Sequence, residues 1–172
     1  MKKSEWLRYA GWAAILSAIG IISSMLFSLT GFNPAESSPS TMPHSIYNEV
    51  LDILTSAFLL PVVIALYRVY RKTSPILSHL STILLTLITV AGIILHMLVI
   101  FGIFSFPEVA YIFFSGLLIL SLWLFMVAYL AYRSRKPKHG LLMGILGATI
   151  IGYPVWAIWI GRQLISGKLT EE

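Results

Sequence analysis

Hydrophobic positions along the chain gather into five long blocks, and short polar stretches that contain proline separate them. An α-helix needs about 20 largely apolar residues to cross a hydrocarbon core of about 30 Å, and each block is long enough. The blocks are predicted to be helices because lipid cannot satisfy the open edge of a β-strand. They extend over approximately residues 7–29, 47–67, 80–104, 109–132 and 141–160. The pattern therefore predicts one all-α membrane domain, residues 1–172, built as a bundle of five transmembrane helices.

The polar stretch between the first two blocks, residues 31–46, is rich in proline, serine and threonine. Such a composition predicts a flexible loop. A signal peptide is the alternative reading of the first block, which follows a lysine-rich start. The block is, however, longer than the 7–15 apolar residues that are usual in a signal peptide, and no A-x-A cleavage site ends it.

The composition excludes several classes of protein. Hydrophobic residues make up 58% of the 172 residues and charged residues 11%, whereas about 25% of the residues in an ordinary soluble domain are charged. A soluble globular enzyme is therefore excluded. The chain contains no cysteine, so disulfides, thiolate metal sites and cysteine nucleophiles are excluded as well.

Basic residues are distributed unevenly over the predicted loops. Ten of the twelve lie on one side of the five-span arrangement: Lys2, Lys3, Arg8, Arg68, Arg71, Lys72, Arg133, Arg135, Lys136 and Lys138. Only Arg162 and Lys168 lie on the other side. Because Lys and Arg near span ends resist translocation, the N-terminus is predicted inside and the C-terminus outside, in a multi-pass protein of the cell (cytoplasmic) membrane. The net charge of +5 then reflects topology. We expect the lipid bilayer, with anionic lipid at its cytoplasmic face, as a partner, and no nucleic acid.

Small residues mark the faces on which membrane helices pack. In the fifth block they recur every four residues, at Gly140, Gly144, Ala148 and Gly152, and Pro154 is predicted to kink the helix. The first block has a similar stripe, formed by Ala13, Ser17, Gly20, Ser24 and Ser28. Two interpretations are open: packing within one bundle, or a seam between copies in a homo-oligomer or larger membrane complex.

Polar residues form a stripe along the third block, namely Ser78, Thr82, Thr86, Thr89 and His96. At about 100° per residue they project within an arc of about 80°. Such a stripe is expected to face the bundle interior or a wet cavity, which keeps His96 away from lipid. The alternative is that the hydroxyls bond to carbonyls of their own helix, which needs no function.

His96 is the strongest candidate for chemistry because ionisable residues inside membrane spans are costly. It lies about eight residues, or about 12 Å, below the predicted outer end of its span. Asp52 is at similar depth in the preceding span, an antiparallel neighbour, so the two side chains are predicted to be close enough to pair. A carboxylate beside an imidazole favours the charged pair, which suits a proton switch. The predicted ligand or proton site consists of His96, Asp52, Thr89, Ser56, Glu108 and Tyr111.

The alternative for the acidic residues is plain interfacial placement. Glu49, Asp52 and Glu108 stand within about two turns of a span end, where carboxylates reach water. No cofactor and no metal ion is predicted. A bis-histidine haem needs two histidines at matched depth on facing helices, whereas His79 and His96 lie at opposite ends of one span. The chain has no HExxH, GxSxG, P-loop or GxGxxG motif, so an enzyme is not favoured.

Two stretches of the chain, RYAGWAAILSAIG at residues 8–20 and LPVVIALYRVYRKTSPILSHL at residues 60–80, carry a resemblance. They resemble a family of small prokaryotic multi-pass membrane proteins of unknown function, in which an A-G-W or A-G-x-L opening precedes an A-L-Y-R span end. The resemblance covers about the first 100 residues. It implies a membrane location and no activity.

Two functions of different classes follow from these patterns. The first is an accessory or self-associating subunit that acts by interaction and needs no catalytic residue. The alternative is a small transporter or proton-linked membrane sensor that uses an outer-half site around His96 and Asp52. An enzyme acting on a lipid or quinone ranks third, and it would hold an amphiphile beside His96.

Overall fold

The computed structural model describes residues 3–30, 46–135, 137, 139–149 and 152–169. This part of the chain is helical and contains no strand, as the hydropathy pattern predicts. The helices are α1 (Lys3–Thr30), α2 (Ile46–Tyr70), α3 (Pro75–Ile100), α4 (Phe106–Ser134), α5 (Gly140–Gly147) and α6 (Gly152–Ile165). Four of them, α1 to α4, contain stretches long and apolar enough to cross a membrane. A helical membrane bundle is thereby confirmed. The predicted flexible loop falls almost entirely outside the described residues.

The sequence sets the ends of α3 and α4 locally. Pro75 opens α3, where its missing N–H is not needed by the helix. At the start of α4 the backbone N–H and the hydroxyl of Ser105 both donate to Oε2 of Glu108, at 2.6 and 2.7 Å. This arrangement satisfies one of the backbone donors that the start of a helix leaves unpaired. α4 ends at Arg135, whose left-handed backbone (φ 56°) stops the helix.

Helices α1 to α4 run alternately up and down. α2 packs between α1 and α3, and α4 packs on α3. Near the end of α2 the Arg68 guanidinium lies 5.5 Å from the ring centre of Trp6 in α1. The hydroxyl of Tyr67 lies 2.9 Å from Nε2 of His79 in α3. These contacts mark what we call the proximal end of the bundle, where α1 and α3 begin and α2 and α4 end. The opposite end is called the distal end.

The fifth hydrophobic block is not one helix. The single span predicted over residues 141–160 is two helices, α5 and α6, and the kink predicted at Pro154 is instead a break before it. Hydroxyl groups compensate the backbone there: Ser121 of α4 donates to the carbonyl of Ala148 at 2.9 Å, and Thr149 Oγ1 accepts from the N–H of Gly152 at 3.0 Å. Backbone groups freed from a helix at this depth need such partners, because lipid offers none.

The two short helices pack against each other as an antiparallel pair, which we call the C-terminal hairpin. At its closed end, a Cβ atom on Gly147 would lie 2.7 Å from Cβ of Trp156. Farther from the break, Met143 of α5 shares a groove with Arg162 of α6 and with Ser166, which follows α6. Contacts thus pair residues that lie at similar distances from the break in the two helices, as expected for an antiparallel pair.

The hairpin is inserted between α4 and α1 through small residues. On the α4 side, Cβ atoms added to Gly140 and Gly144 would each lie 2.5 Å from an alanine Cβ, that of Ala131 and that of Ala128. On the α1 side, Gly161 packs on Gly11, and a Cβ on Gly161 would lie 2.6 Å from its carbonyl oxygen. The small-residue stripe of the fifth block is thus used within the chain.

The described C-terminal residues lie at the proximal end of the bundle. Ile165 of α6 lies beside Gly11 near the start of α1, whereas Tyr153 lies beside Ser17 in the middle of α1. α6 therefore runs antiparallel to α1. This differs from the five-span prediction, in which the two ends of the chain lie on opposite sides of the membrane.

Aromatic residues fill the core where the hairpin meets the other helices. The rings of Trp123 in α4 and Trp156 in α6 meet edge to face, with centroids 5.6 Å apart, and both side chains are fully buried. Val62 of α2 and Leu85 of α3 are buried in the same core. Because apolar side chains gain little from leaving lipid, close packing of this kind supplies the stabilisation.

Candidate ligand and proton site

The hairpin occupies only the proximal half of the bundle. Its closed end reaches Ser121, near the middle of α4, and Ser17, near the middle of α1. The space between the helices above that end is a cavity of about 400 Å³. Its floor is the closed end of the hairpin, at Gly147, Ala148, Thr149 and Tyr153, and its walls are the distal halves of the other helices. The volume falls within the range of about 300–1,000 Å³ that is usual for small-molecule sites.

The cavity is mainly apolar, with polar side chains at separate points. Its apolar lining residues include four leucines and two phenylalanines, and none of the described residues that line it is Lys or Arg. The polar residues that line it are Ser24, Asp52, Thr55, Ser56, His96, Ser121, Thr149 and Tyr153. An apolar pocket with a few convergent polar groups is the usual composition of a binding site.

A buried histidine–glutamate pair forms one side of this site. Nδ1 of His96 lies 2.6 Å from Oε2 of Glu49, and the two residues are only 8% and 1% exposed. Glu49 belongs to the first turn of α2, where the helix dipole favours a negative charge. The ring of His96 stacks on Phe113 of α4, with centroids 4.3 Å apart. The pair therefore links three helices.

This contact fixes how the imidazole presents itself to the cavity. In the tautomer that carries its proton on Nδ1, the ring donates to the carboxylate of Glu49. A neutral imidazole that donates from Nδ1 keeps its lone pair on Nε2, and a protonated ring carries donors at both nitrogens. His96 also lines the cavity.

The carboxylate that contacts Nδ1 of His96 belongs to Glu49. The sequence analysis predicted Asp52 as the partner, and that prediction is wrong. α3 ends at Ile100 rather than near residue 104, so His96 is four residues, or about 6 Å, from the helix end instead of eight. That change brings His96 to the level of Glu49, one turn before Asp52 in α2. Asp52 is half-buried and lines the cavity. Glu49 was assigned to the interface by its position near a span end.

The other predicted site residues are dispersed. Ser56 lines the cavity, and Thr89 is buried in α3 but is not among the residues that line it. Glu108 is exposed and caps α4, and Tyr111 is 83% exposed. The cavity thus brings together His96, Asp52 and Ser56, whereas Glu108 and Tyr111 lie outside it.

The polar stripe of the third block has two kinds of member. Ser78, Thr89 and His96 are buried inside the bundle, as expected for an inward-facing stripe. The hydroxyl of Thr82 donates to the carbonyl of Ser78 at 2.8 Å, so it bonds within its own helix. Both interpretations therefore apply, at different positions.

Thr55 is a site residue that the predicted site around His96 did not include. It lines the cavity, is 8% exposed, and its Oγ1 has no hydrogen-bond partner in the protein. It lies one turn after Asp52, on the same face of α2, and packs against Gly20 of α1. A buried hydroxyl without a partner costs about 1–3 kcal/mol.

The floor of the cavity is held by hydroxyl groups that the sequence analysis also missed. The hydroxyl of Ser17 donates to the carbonyl of Ala14 at 2.8 Å, so its oxygen accepts from the hydroxyl of Tyr153, at 3.2 Å. Thr149 donates to the carbonyl of Leu146 at 2.7 Å. The local signal for this floor is the polar and glycine residues around Pro154, which break an otherwise apolar block.

Within the described residues, no three His, Asp or Glu side chains are grouped closely enough to hold a metal ion. Comparison with known proteins identifies no family that matches the chain, no curated protein similar to it in sequence, and no solved structure similar to it. The function must therefore be argued from the cavity and the residues around it.

Proposed function

We propose that the chain crosses the membrane four times, through α1 to α4, and that the C-terminal hairpin enters from the cytoplasmic side and returns to it. At 1.5 Å per residue, the eight residues of α5 span about 12 Å and the fourteen of α6 about 21 Å, both less than the roughly 30 Å of a hydrocarbon core. Non-helical backbone at membrane depth is tolerated where it lines a cavity or is buried in protein. The hydroxyl contacts of Ser121 and Thr149 fit that condition.

The distribution of charge supports this topology. In a four-span arrangement Arg162 and Lys168 join the other basic residues, so all twelve Lys and Arg residues are placed on the cytoplasmic side. The five-span arrangement leaves two of them outside. Because basic residues near span ends stay in the cytoplasm, the four-span topology follows the rule more closely. It places the distal end of the bundle, with the cavity, toward the exterior of a prokaryotic cytoplasmic membrane.

Single cysteines test this topology directly, since the chain has no cysteine of its own. The variants are Ser166→Cys after α6, Lys72→Cys between α2 and α3, and Ile103→Cys between α3 and α4, all at exposed positions. With a membrane-impermeant maleimide on intact cells, we expect only Ile103→Cys to react. Ser166→Cys should react together with Lys72→Cys, after permeabilisation. Reaction of Ser166→Cys in intact cells would support the five-span topology instead.

We further propose that the protein binds a small solute in the outer half of the bundle and couples this to a proton, as a small transporter or a membrane sensor. The observation that carries the proposal is the buried pair of His96 and Glu49 at the wall of a cavity of about 400 Å³. Intramembrane ionisable residues mark substrate and proton pathways. Discontinuous helices beside a midplane site are a recurrent feature of transporters.

The competing proposal, a self-associating subunit, loses its main support. It depended on two stripes of small residues as a seam between copies. Gly140, Gly144 and Ser17 are buried in contacts within the chain, and so is Gly11 beside the first stripe. The geometry therefore favours a function at the ligand and proton site over self-association through the stripes of small residues.

Proteoliposomes that contain a pH-sensitive dye test the coupling. A panel of an amine, an amino acid, a carboxylate and a neutral alcohol is added one at a time under an imposed pH gradient. We expect one class to move protons in vesicles with the parent protein but not with His96→Gln or Glu49→Gln. His79→Gln is the matched control, since His79 is exposed and at the proximal end. If His96→Gln and His79→Gln behave alike with every solute, the proposal is wrong.

A further inference from the structure

We propose that the occupant of the cavity is a small organic cation and that the carboxylate of Asp52 is its counter-charge. This inference rests on the proposed function, because it takes the cavity to be a binding site. It adds the chemical class of the solute. The argument uses the charge of the cavity, the position of Thr55 and the aromatic wall.

The charge of the cavity is negative. Asp52 lines it directly, and Glu49 lies behind His96 at its wall. None of the described lining residues is Lys or Arg. Acidic side chains therefore outnumber basic ones among the described residues at the cavity. A positive ligand compensates this charge in a region where water screens it poorly.

An unpaired hydroxyl lies next to the proposed counter-charge. Thr55 is one helical turn from Asp52, on the same face of α2, and its buried Oγ1 has no hydrogen-bond partner in the protein. Ser56 also lines the cavity. The half-buried hydroxyl of Ser56 can accept a hydrogen bond from a substituent of the cation. The negative charge is thus accompanied by an independent polar group that lacks a partner.

The aromatic wall suits the apolar body of such a ligand. Phe113 and Phe114 of α4 line the cavity opposite α2, and Tyr153 contributes to the floor. Aromatic rings attract cations through their negative faces, most strongly where water is excluded, and they recognise quaternary ammonium groups in this way. A hydrophilic inorganic ion would leave these surfaces unused. An ammonium group with alkyl substituents uses both the carboxylate and the rings.

Choline is a suitable probe, because its quaternary nitrogen is permanently charged and its hydroxyl can reach a polar partner. The neutral comparison is the alcohol in which carbon replaces the choline nitrogen, and the anionic comparison is the carboxylate with the same branched skeleton. Binding of the three to the full chain in lipid nanodiscs is measured by calorimetry at neutral pH. We expect choline to bind about tenfold more tightly than the neutral alcohol, equivalent to about 1.4 kcal/mol.

Variants assign the preference to Asp52. Asp52→Asn should reduce the ratio of the two affinities to about one, and Asp52→Glu, which keeps the charge, should retain most of it. The matched control is Glu108→Gln, at an exposed carboxylate outside the cavity, which should leave the ratio unchanged. The thermal unfolding midpoint of each variant shows whether it is folded.

The outcomes separate this inference from the proposed function. If the neutral alcohol or the carboxylate binds as well as choline, the cavity is a binding site but the cation is the wrong class of ligand. If Asp52→Asn keeps the preference for choline, the counter-charge is assigned wrongly. If none of the three probes binds, both the cation and the proposed ligand site are contradicted.

Discussion

The contact between α1 and α6 makes a sharp prediction about one glycine. In Gly11→Ala, the new Cβ would lie 2.7 Å from the carbonyl oxygen of Gly161 and 2.7 Å from Cγ1 of Ile165. Ordinary contact begins at 3.4 Å. The obstacle is backbone and cannot rotate away, so α1 and α6 must move apart by several tenths of an ångström along their shared seam.

The magnitude follows from two opposing effects. Overpacking of a tight interface costs about 1–3 kcal/mol, whereas replacing glycine by alanine within a helix gains about 0.5–1 kcal/mol. We expect a net destabilisation of about 1 kcal/mol for Gly11→Ala. In a chain of this length that lowers the unfolding midpoint by about 2–4 °C.

Gly92→Ala is the matched control, because Gly92 is also in a long helix and a Cβ added there would meet nothing within 4 Å. It should keep or raise the unfolding midpoint, since only the helix-propensity gain applies. The assay is thermal unfolding in a mild detergent, followed by circular dichroism. If Gly11→Ala is as stable as Gly92→Ala, α6 does not pack on α1 as described, and the position of the hairpin is wrong.

Three further predictions concern hydrogen bonds. The donors of Ser105, its backbone N–H first and then its hydroxyl, lower the pKa of Glu108 below its ordinary value of 4.5. The stabilisation of the α4 start by Glu108 is therefore fully present above the pKa of the unfolded side chain and is lost as the pH falls through the pKa of the folded side chain. Amide hydrogen exchange in the first turn of α4 should become faster over that pH range in the parent protein. Glu108→Ala should not show this change. Thr149→Val removes two hydrogen bonds at the helix break and should cost about 1–3 kcal/mol in thermal unfolding, with Thr149→Ser restoring most of it. Ser17→Ala leaves the buried hydroxyl of Tyr153 without its acceptor, so adding Tyr153→Phe should recover stability; an additive double variant would contradict the contact.

The four long helices could be predicted from hydropathy, but the hairpin could not. A block of about 20 apolar residues has the length of one span, whether or not its helix is continuous. The break between α5 and α6 depends on a hydroxyl donated by Ser121 from another helix and on tight packing at Gly147. One indication was present in the sequence: Arg162 and Lys168 were the two exceptions to an otherwise one-sided distribution of basic residues.

The candidate site was predicted in part. His96 and Asp52 stand out because charged groups in apolar blocks are rare. The predicted partner of His96 was wrong because pairing between helices depends on the register of α3 against α2. α3 ends four residues before the predicted boundary, which changes the level of His96 relative to α2. Thr55 shares a helix face with Asp52 in the sequence pattern but was not included in the predicted site, because a threonine without a partner looks the same in a sequence as one that bonds to its own helix.

The hairpin also constrains the order in which the protein is assembled. Each of its helices is too short to span the membrane alone, and the open backbone end of α5 accepts a hydrogen bond that Ser121 of α4 supplies. The contact between Ser17 and Tyr153 closes a separation of 136 positions along the chain, and contacts between residues so distant in sequence form slowly. We therefore expect the hairpin to dock last, into a slot that the four earlier helices have already formed, and an arrest of synthesis before α6 would leave that slot open to lipid.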